Sequence, residues 1–209
     1  MTDSILVLRG LEEMYSEIQF IKRLRGCIEK HPDLNWGDAM SRGQITSKMW
    51  ISEQLKTNHR INLGVVAVCG GWVGILPRIL LDDGRFYITH LKNMDTDEAA
   101  IMASLDLNID YGPRYSATPI DCNSVSYARY DTVINTSCEH FADFGKWYSN
   151  VPNDKMVILQ SNNFTEIEDH VDCVENEDEL ADKANLSELI YKGSLPCYGY
   201  TRFMVIGVK

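Results

Sequence analysis

The sequence predicts an α/β fold in which a mostly parallel sheet lies between two layers of helices and its last strand runs backwards, a three-layer sandwich. Three observations carry this expectation. An apolar run, Val65-Val66-Ala67-Val68-Cys69, breaks at Gly70-Gly71-Trp72-Val73-Gly74 and resumes with helical spacing at Ile75, Ile79 and Leu80, the pattern of a buried strand, a tight turn and a helix. From Asn62 onward, strand-like and helix-like stretches alternate, which calls for parallel strands joined by helical crossovers. Near the end, residues 189–193 and 202–208 read as strands with only 194–201 between them. That gap is too short for a crossover helix, so the pair must be antiparallel.

In chain order, residues 1–60 read as a helical extension packed on the core, and residues 61–209 as the sheet domain. Leu11, Tyr15, Ile18, Ile21 and Ile28 recur near helical spacing, and the His31-Pro32-Asp33-Leu34-Asn35-Trp36-Gly37 segment interrupts them. A further helix is expected to start near Thr46 or Ser47 and to carry Trp50, Ile51 and Leu55 on one side. Strands are then expected over 63–69, 85–94, 116–120, 132–135 and 156–160, with helices over 73–81, 97–108, 141–150 and 178–184. Met156-Val157-Ile158-Leu159 is a continuous apolar run, as in strands covered on both faces.

Composition removes several functional classes. A chain of 209 residues with 44% hydrophobic content can bury a full core without disulfides or structural metals. There is no run of eighteen apolar residues, so no membrane span or membrane partner is expected. The first residues lack the basic and then apolar regions of a secretory signal. Six scattered cysteines without a paired CxxC spacing read as reduced thiols of a cytoplasmic protein. A net charge of −10 argues against nucleic acid as a partner, because gripping a phosphate backbone takes clustered Lys and Arg. Between residues 166 and 182 stand nine acids and no Lys or Arg, either a solvated helix face or an acidic lid that favours a cationic substrate.

The chemistry begins at the glycine turn, which lets backbone approach a ligand while the following helix points amide donors at it. About twenty residues further on, Phe86-Tyr87-Ile88-Thr89-His90-Leu91-Lys92-Asn93-Met94-Asp95 reads as a second strand ending in an acid able to accept from both ribose hydroxyls. A glycine turn and an acid in that order indicate a nucleoside-containing cofactor. A nicotinamide cofactor would call for Gly-x-Gly-x-x-Gly, which is absent.

Residues 65–74, Met94-Asp95-Thr96-Asp97, Ile120-Asp121 and Tyr130-Asp131-Thr132-Val133-Ile134-Asn135 resemble the class I S-adenosylmethionine-dependent methyltransferases, and the resemblance extends over roughly residues 44–209. It implies a Rossmann-like, seven-stranded sheet with the last strand inserted antiparallel, and S-adenosyl-L-methionine as cofactor. It also implies that Gly70, Gly71, Trp72 and Gly74 approach the methionyl part, that Asp95 binds the ribose, and that Asp121 contacts the adenine amino group. Asn135, with Thr136, Ser137 and Cys138, would lie beside the transferable methyl. The pattern departs from the family at Val68, where an acid is usual, and at Trp72, inside the usual Gly-x-Gly-x-Gly. Gln44, Ser47 and Lys48 are therefore candidates to hold the methionine end, Lys48 through its charge. The other reading of Lys48 is an exposed helix charge.

Methyl transfer from a sulfonium needs alignment and exclusion of water, and a base only when the acceptor is protonated. Asn135, Glu139 and His140 are the catalytic candidates, and Gln160, Ser161, Asn162 and Asn163 suggest a polar floor. Glu139 also reads as a first-turn acid that complements a helix dipole. The spacing of Glu139, His140, His170 and Cys173 fits no known ligand motif, so no metal is expected. Tyr127 is placed either over the adenine or in the core. Asn135-Thr136-Ser137-Cys138 stands where methyltransferases of nucleic-acid amino groups carry an Asn-Pro-Pro-Tyr-like motif, which again disfavours nucleic acid. The expected function is methyl transfer to a small molecule or a protein side chain. The alternative is an accessory protein that keeps the cofactor pocket without transfer.

Overall fold

Seven strands form one sheet: β1 (Asn62–Cys69), β2 (Tyr87–Asp95), β3 (Tyr115–Pro119), β4 (Thr132–Asn135), β5 (Met156–Asn162), β6 (Glu188–Pro196) and β7 (Thr201–Val208). Their order in the computed structural model, which describes residues 3–15 and 18–209, is β3-β2-β1-β4-β5-β7-β6. The first five strands pair in parallel, and β7 runs antiparallel to both β5 and β6. β1 pairs with both β2 and β4, so successive strands are laid down on opposite sides of it. The crevice above the carboxyl ends of β1 and β4 is the topological switch point, the place where open α/β sheets bind ligands.

Alternation along each strand explains why both faces are covered. Val66 and Val68 of β1, Ile158 of β5, and Met204 and Ile206 of β7 point to one face. There they pack against α4 (Arg42–Thr57) through Trp50, Ile51 and Leu55, and against α5 (Ile75–Asp82) through Leu76 and Leu80. Ala67, Cys69, Val157, Leu159, Phe203 and Val205 point to the other, where α7 (Phe144–Ser149) and α8 (Glu177–Ala184) cover them with Phe144, Trp147 and Leu180. A third cluster joins α1 (Asp3–Met14), α2 (Gln19–Lys30) and α3 (Trp36–Ala39) to α6 (Glu98–Leu107), to Val73 of the glycine turn and to Ile75 at the start of α5. None of the described helices is long and apolar enough to cross a membrane, and all six cysteines are unpaired.

Several boundaries differ from the sequence expectation, and local capping explains them. The helix expected near Thr46 begins at Arg42, because the Ser41 hydroxyl accepts from the Gln44 amide at 3.3 Å. The helix expected over 73–81 begins at Ile75, since Gly74 adopts φ 76°, a left-handed conformation that stops it from extending backwards. The helix expected over 141–150 is shortened to α7, whose start is set by Asp143 accepting from the Lys146 amide at 2.8 Å, and a separate 3₁₀ turn, Cys138–His140, precedes it. Glu139 therefore sits in a 3₁₀ turn and not in the first turn of an α-helix.

Trp147 is fully buried between α7 and the sheet, and its indole donates to the Tyr127 hydroxyl at 3.0 Å. Trp147→Ala is expected to lower unfolding free energy by about 3–5 kcal/mol, read from urea denaturation.

Candidate active site

The chain leaves β1 through a strained bend. Gly70 has φ 59° and Trp72 has φ 46°, the latter a left-handed conformation that costs a residue with a side chain about 1–2 kcal/mol. Two side chains of β2 hold it. The Trp72 amide donates to Asp95 Oδ2 at 2.9 Å, and the Trp72 carbonyl accepts from Asn93 Nδ2 at 3.0 Å. Asn93 Nδ2 also donates to Ser104 Oγ at 3.0 Å, and the Ser104 hydroxyl meets the Tyr115 hydroxyl. Asn108 Nδ2 donates to the Gly74 carbonyl at 3.1 Å. Asn93, Ser104 and Asn108 are fully buried, so this network forms a rigid back for the bend. A Cβ on Gly71 would stand 1.7 Å from Asn93 Oδ1, and one on Gly74 would stand 2.1 Å from Ser104 Oγ. Both glycines exist for this close packing.

In front of the bend, at the switch point, opens a cleft of ≈ 620 Å³. Gly70, Gly71, Trp72, Asp95 and Asp121 line one end, and Lys48, Gln44, Asp38, Thr136, Ser137 and His140 also face it. Asp95 Oδ1 accepts from the Asp97 amide at 3.1 Å. Each Asp95 oxygen accepts one bond and retains a lone pair for a ligand hydroxyl. Asp121, exposed at the end of β3, accepts from the Asn123 amide at 2.8 Å and from Asn123 Nδ2 at 2.9 Å, which fixes its rotamer. Lys48 is not an exposed helix charge. Its ammonium donates to Gln44 Oε1 inside the cleft, and desolvation, helped by the Arg202 charge and opposed by Asp38 and Glu139, pulls its pKa down from 10.5 to about 7.

Other expected site residues lie elsewhere. Gly74 is buried behind the bend and does not line the cleft. Asn135 is fully buried, and its Oδ1 accepts from the Ser137 amide at 2.9 Å, shaping the loop after β4 and not facing the cavity. Glu139 is 2% exposed and lies beneath that loop, where it accepts from Asn162 Nδ2 at 2.6 Å. Gln160, Ser161 and Asn162 are likewise fully buried, and Gln160 Nε2 donates to the Ser47 carbonyl at 3.1 Å. They support the wall from behind and do not form an open floor. Asn163 is exposed and accepts from the Thr201 amide at 2.8 Å. Tyr127 belongs to the core, with its hydroxyl donating to the Cys122 carbonyl at 2.9 Å. Of the catalytic candidates, only His140 faces the cleft. Glu139, His140 and His170 do converge, whereas the Cys173 thiol turns to the Phe164 carbonyl at 3.6 Å.

Four contributors went unread in the sequence. Asp38 reaches the cleft from α3. Arg202 of β7, nearly buried, donates to the Thr136 carbonyl at 3.0 Å and so ties the last strand to the loop after β4. Ser104 and Asn108, four residues apart on an otherwise apolar helix face, were the available sign of the network behind the bend.

Sheet order, the reversed β7 and the cleft at the crest together define the class I S-adenosylmethionine-dependent methyltransferase fold. Solved structures of that fold superpose on the chain. The N-methyltransferase NodS from Bradyrhizobium japonicum matches with a TM-score of 0.65 at 10% identity, covering 82% of this chain and 98% of that one. Magnesium protoporphyrin IX methyltransferase (ChlM) from Synechocystis, with bound S-adenosylhomocysteine, matches with a TM-score of 0.64 at 14% identity, covering 96% and 99%. The [4+2]-cyclase SpnF matches with a TM-score of 0.63 at 8% identity, covering 82% and 83%. No protein-family model and no curated protein matches the sequence.

Gly71→Ala is expected to destabilise the protein by about 1–3 kcal/mol through overpacking against Asn93, and Asn93→Ala in the same chain should recover part of that loss by making room, as a double-mutant cycle of denaturation midpoints will read. Lys48 carries a second expectation. The unfolded chain holds its proton up to about pH 10.5 and the folded chain only to about 7, so the unfolded state binds more protons between these values. Stability of the native chain, measured against Lys48→Met, should therefore rise as the pH is raised from about 7 towards 10.5 and stay flat below 7.

Proposed function

We propose that the protein is an S-adenosylmethionine-dependent methyltransferase whose acceptor is a small molecule. The observation that carries this reading is the cleft at the switch point, where a left-handed bend and the Asp95 carboxylate face the same space. Its ≈ 620 Å³ falls within the range of about 300–1,000 Å³ usual for small-molecule sites. Asp38, Gln44 and Lys48, from α3 and α4, enclose it from above the sheet, which suits a small acceptor better than a side chain on a folded protein. NodS and ChlM are themselves named for methyl transfer, ChlM to a porphyrin.

The donor set fits the cofactor. Asp95 has lone pairs left for the two ribose hydroxyls, and Asp121 stands at the end of β3 as the acceptor for an adenine amino group. Lys48 supplies a cation for the methionine carboxylate, at the end of the site where Val68 and Trp72 depart from the usual family pattern. An anion beside it would also return its pKa upward. When bound, S-adenosylmethionine supplies a methyl carbon with its leaving group already in place. The chain's part is then positional. Thr136, Ser137 and His140 shape the acceptor end, Asn135 and Glu139 brace that wall from behind, and the N-terminal helices keep water out.

Calorimetric titration with S-adenosylmethionine and S-adenosylhomocysteine is expected to give micromolar dissociation constants, on the order of −8 kcal/mol. Asp95→Ala should abolish most of that binding. An affinity unchanged in the variant would remove the ribose contact and the reading with it.

A further inference from the structure

The 3₁₀ turn after β4 and the loop leading to α8 bring together a carboxylate and two imidazoles at the wall of the cleft. One ligand atom from each of Glu139, His140 and His170 lies within 4.8 Å of the others. The two rings meet edge to face, with centroids 4.7 Å apart. Each Nδ1 faces a main-chain carbonyl, that of Asp169 for His140 at 3.1 Å and that of Phe164 for His170 at 2.6 Å. A carbonyl only accepts, so in both neutral rings Nδ1 holds the proton and Nε2 keeps a lone pair. Histidines that hold a metal are usually oriented in this way.

Glu139 supplies an independent observation. Its side chain is 98% buried, being 2% exposed, and Oε1 accepts from Asn162 Nδ2 at 2.6 Å with Arg202 Nη1 at 3.7 Å. Oε2 is buried too, and finds no hydrogen-bond partner among the described residues. A buried carboxylate oxygen is expensive to leave bare, and a cation held within the cluster would remove that cost.

We propose that Glu139, His140 and His170 form a binding site for a divalent first-row transition-metal ion at the acceptor end of the cleft. Two imidazoles and one carboxylate suit Zn²⁺, Co²⁺ or Fe²⁺ better than Mg²⁺, which prefers oxygen ligands and keeps its water. Three protein ligands leave coordination positions open for an oxygen from outside the protein. Because His140 also lines the cleft, the ion borders the space assigned to the acceptor. There it would polarise an acceptor oxygen, and His140 acts as a ligand and not as a base. That role rests on the methyl-transfer reading, whereas the ion site does not.

The test uses the full chain stripped with a chelator and titrated with Co²⁺, Zn²⁺ and Mg²⁺, with stoichiometry by dialysis and the visible bands of Co²⁺ as the spectroscopic readout. One Co²⁺ or Zn²⁺ per chain is expected, with Mg²⁺ bound at least roughly tenfold more weakly. His140→Ala and His170→Ala should each weaken Co²⁺ binding by about tenfold or more and change its bands. Neither side chain is in the buried core, so circular dichroism and the thermal midpoint of the ion-free variants should match the native chain. Absence of stoichiometric Co²⁺ uptake, or uptake undiminished in both variants, overturns the proposal. Titration of the same stripped protein with S-adenosylmethionine separates the two readings. Cofactor binding without ion binding removes the ion site alone, and ion binding without cofactor binding removes the methyl-transfer reading alone.

Discussion

The grip of β2 on the bend after β1 governs the rest of the site. Trp72 is held left-handed through the peptide groups on both sides of its Cα, by Asp95 at the amide and Asn93 at the carbonyl. The neutral bond from Asn93 contributes about 0.5–1.5 kcal/mol net and the bond to the Asp95 carboxylate about 1.5–3 kcal/mol, so together they offset the strain of the bend. Asn93 is anchored in turn by Ser104, which reaches Tyr115 of β3. Three parallel strands and α6 thus set where the main chain at Gly70 faces the cleft. Asp95 serves twice, as a brace with its bonds to the protein and as an acceptor with its remaining lone pairs.

The opposite wall depends on a different kind of support. The loop after β4 is held from behind by Asn135, by Glu139 with Asn162, and by Arg202 reaching across from β7. Here buried polar and charged groups stand in for the apolar packing that secures the helices. Such groups must satisfy one another or be satisfied by something bound, which makes this wall sensitive to what occupies it. The two ends of the cleft are therefore built differently: the bend end by the Asp95 carboxylate with neutral amides and hydroxyls behind it, the loop end by a buried ion pair.

Strand positions and the reversed ending were legible because both rest on period and spacing. Val66 to one face and Ala67 to the other follows from the geometry of a strand, and eight residues between two strands exclude a crossover. Helix starts were less legible. Ser41 and Asp143 cap their helices through single side-chain bonds that other nearby polar residues were equally able to make. At the site, Gly70, Gly71, Trp72, Asp95, Asp121, Lys48 and His140 line the cleft. Asn135, Glu139 and Gln160 do not, because a polar residue at a strand's end reads the same whether it points into a cavity or away from it. Only packing separates the two.

The placement of β7 has a consequence for how the molecule assembles. β6 reaches the sheet only through β7, which is the later of the two along the chain, so β5 keeps an open hydrogen-bonding edge until that final strand arrives. Completion waits for the segment that carries Arg202, which couples closure of the sheet to the locking of the wall beside the ligand. A chain interrupted before this point would expose a sticky strand border together with an unbraced loop, a form suited to recognition by chaperones and proteases.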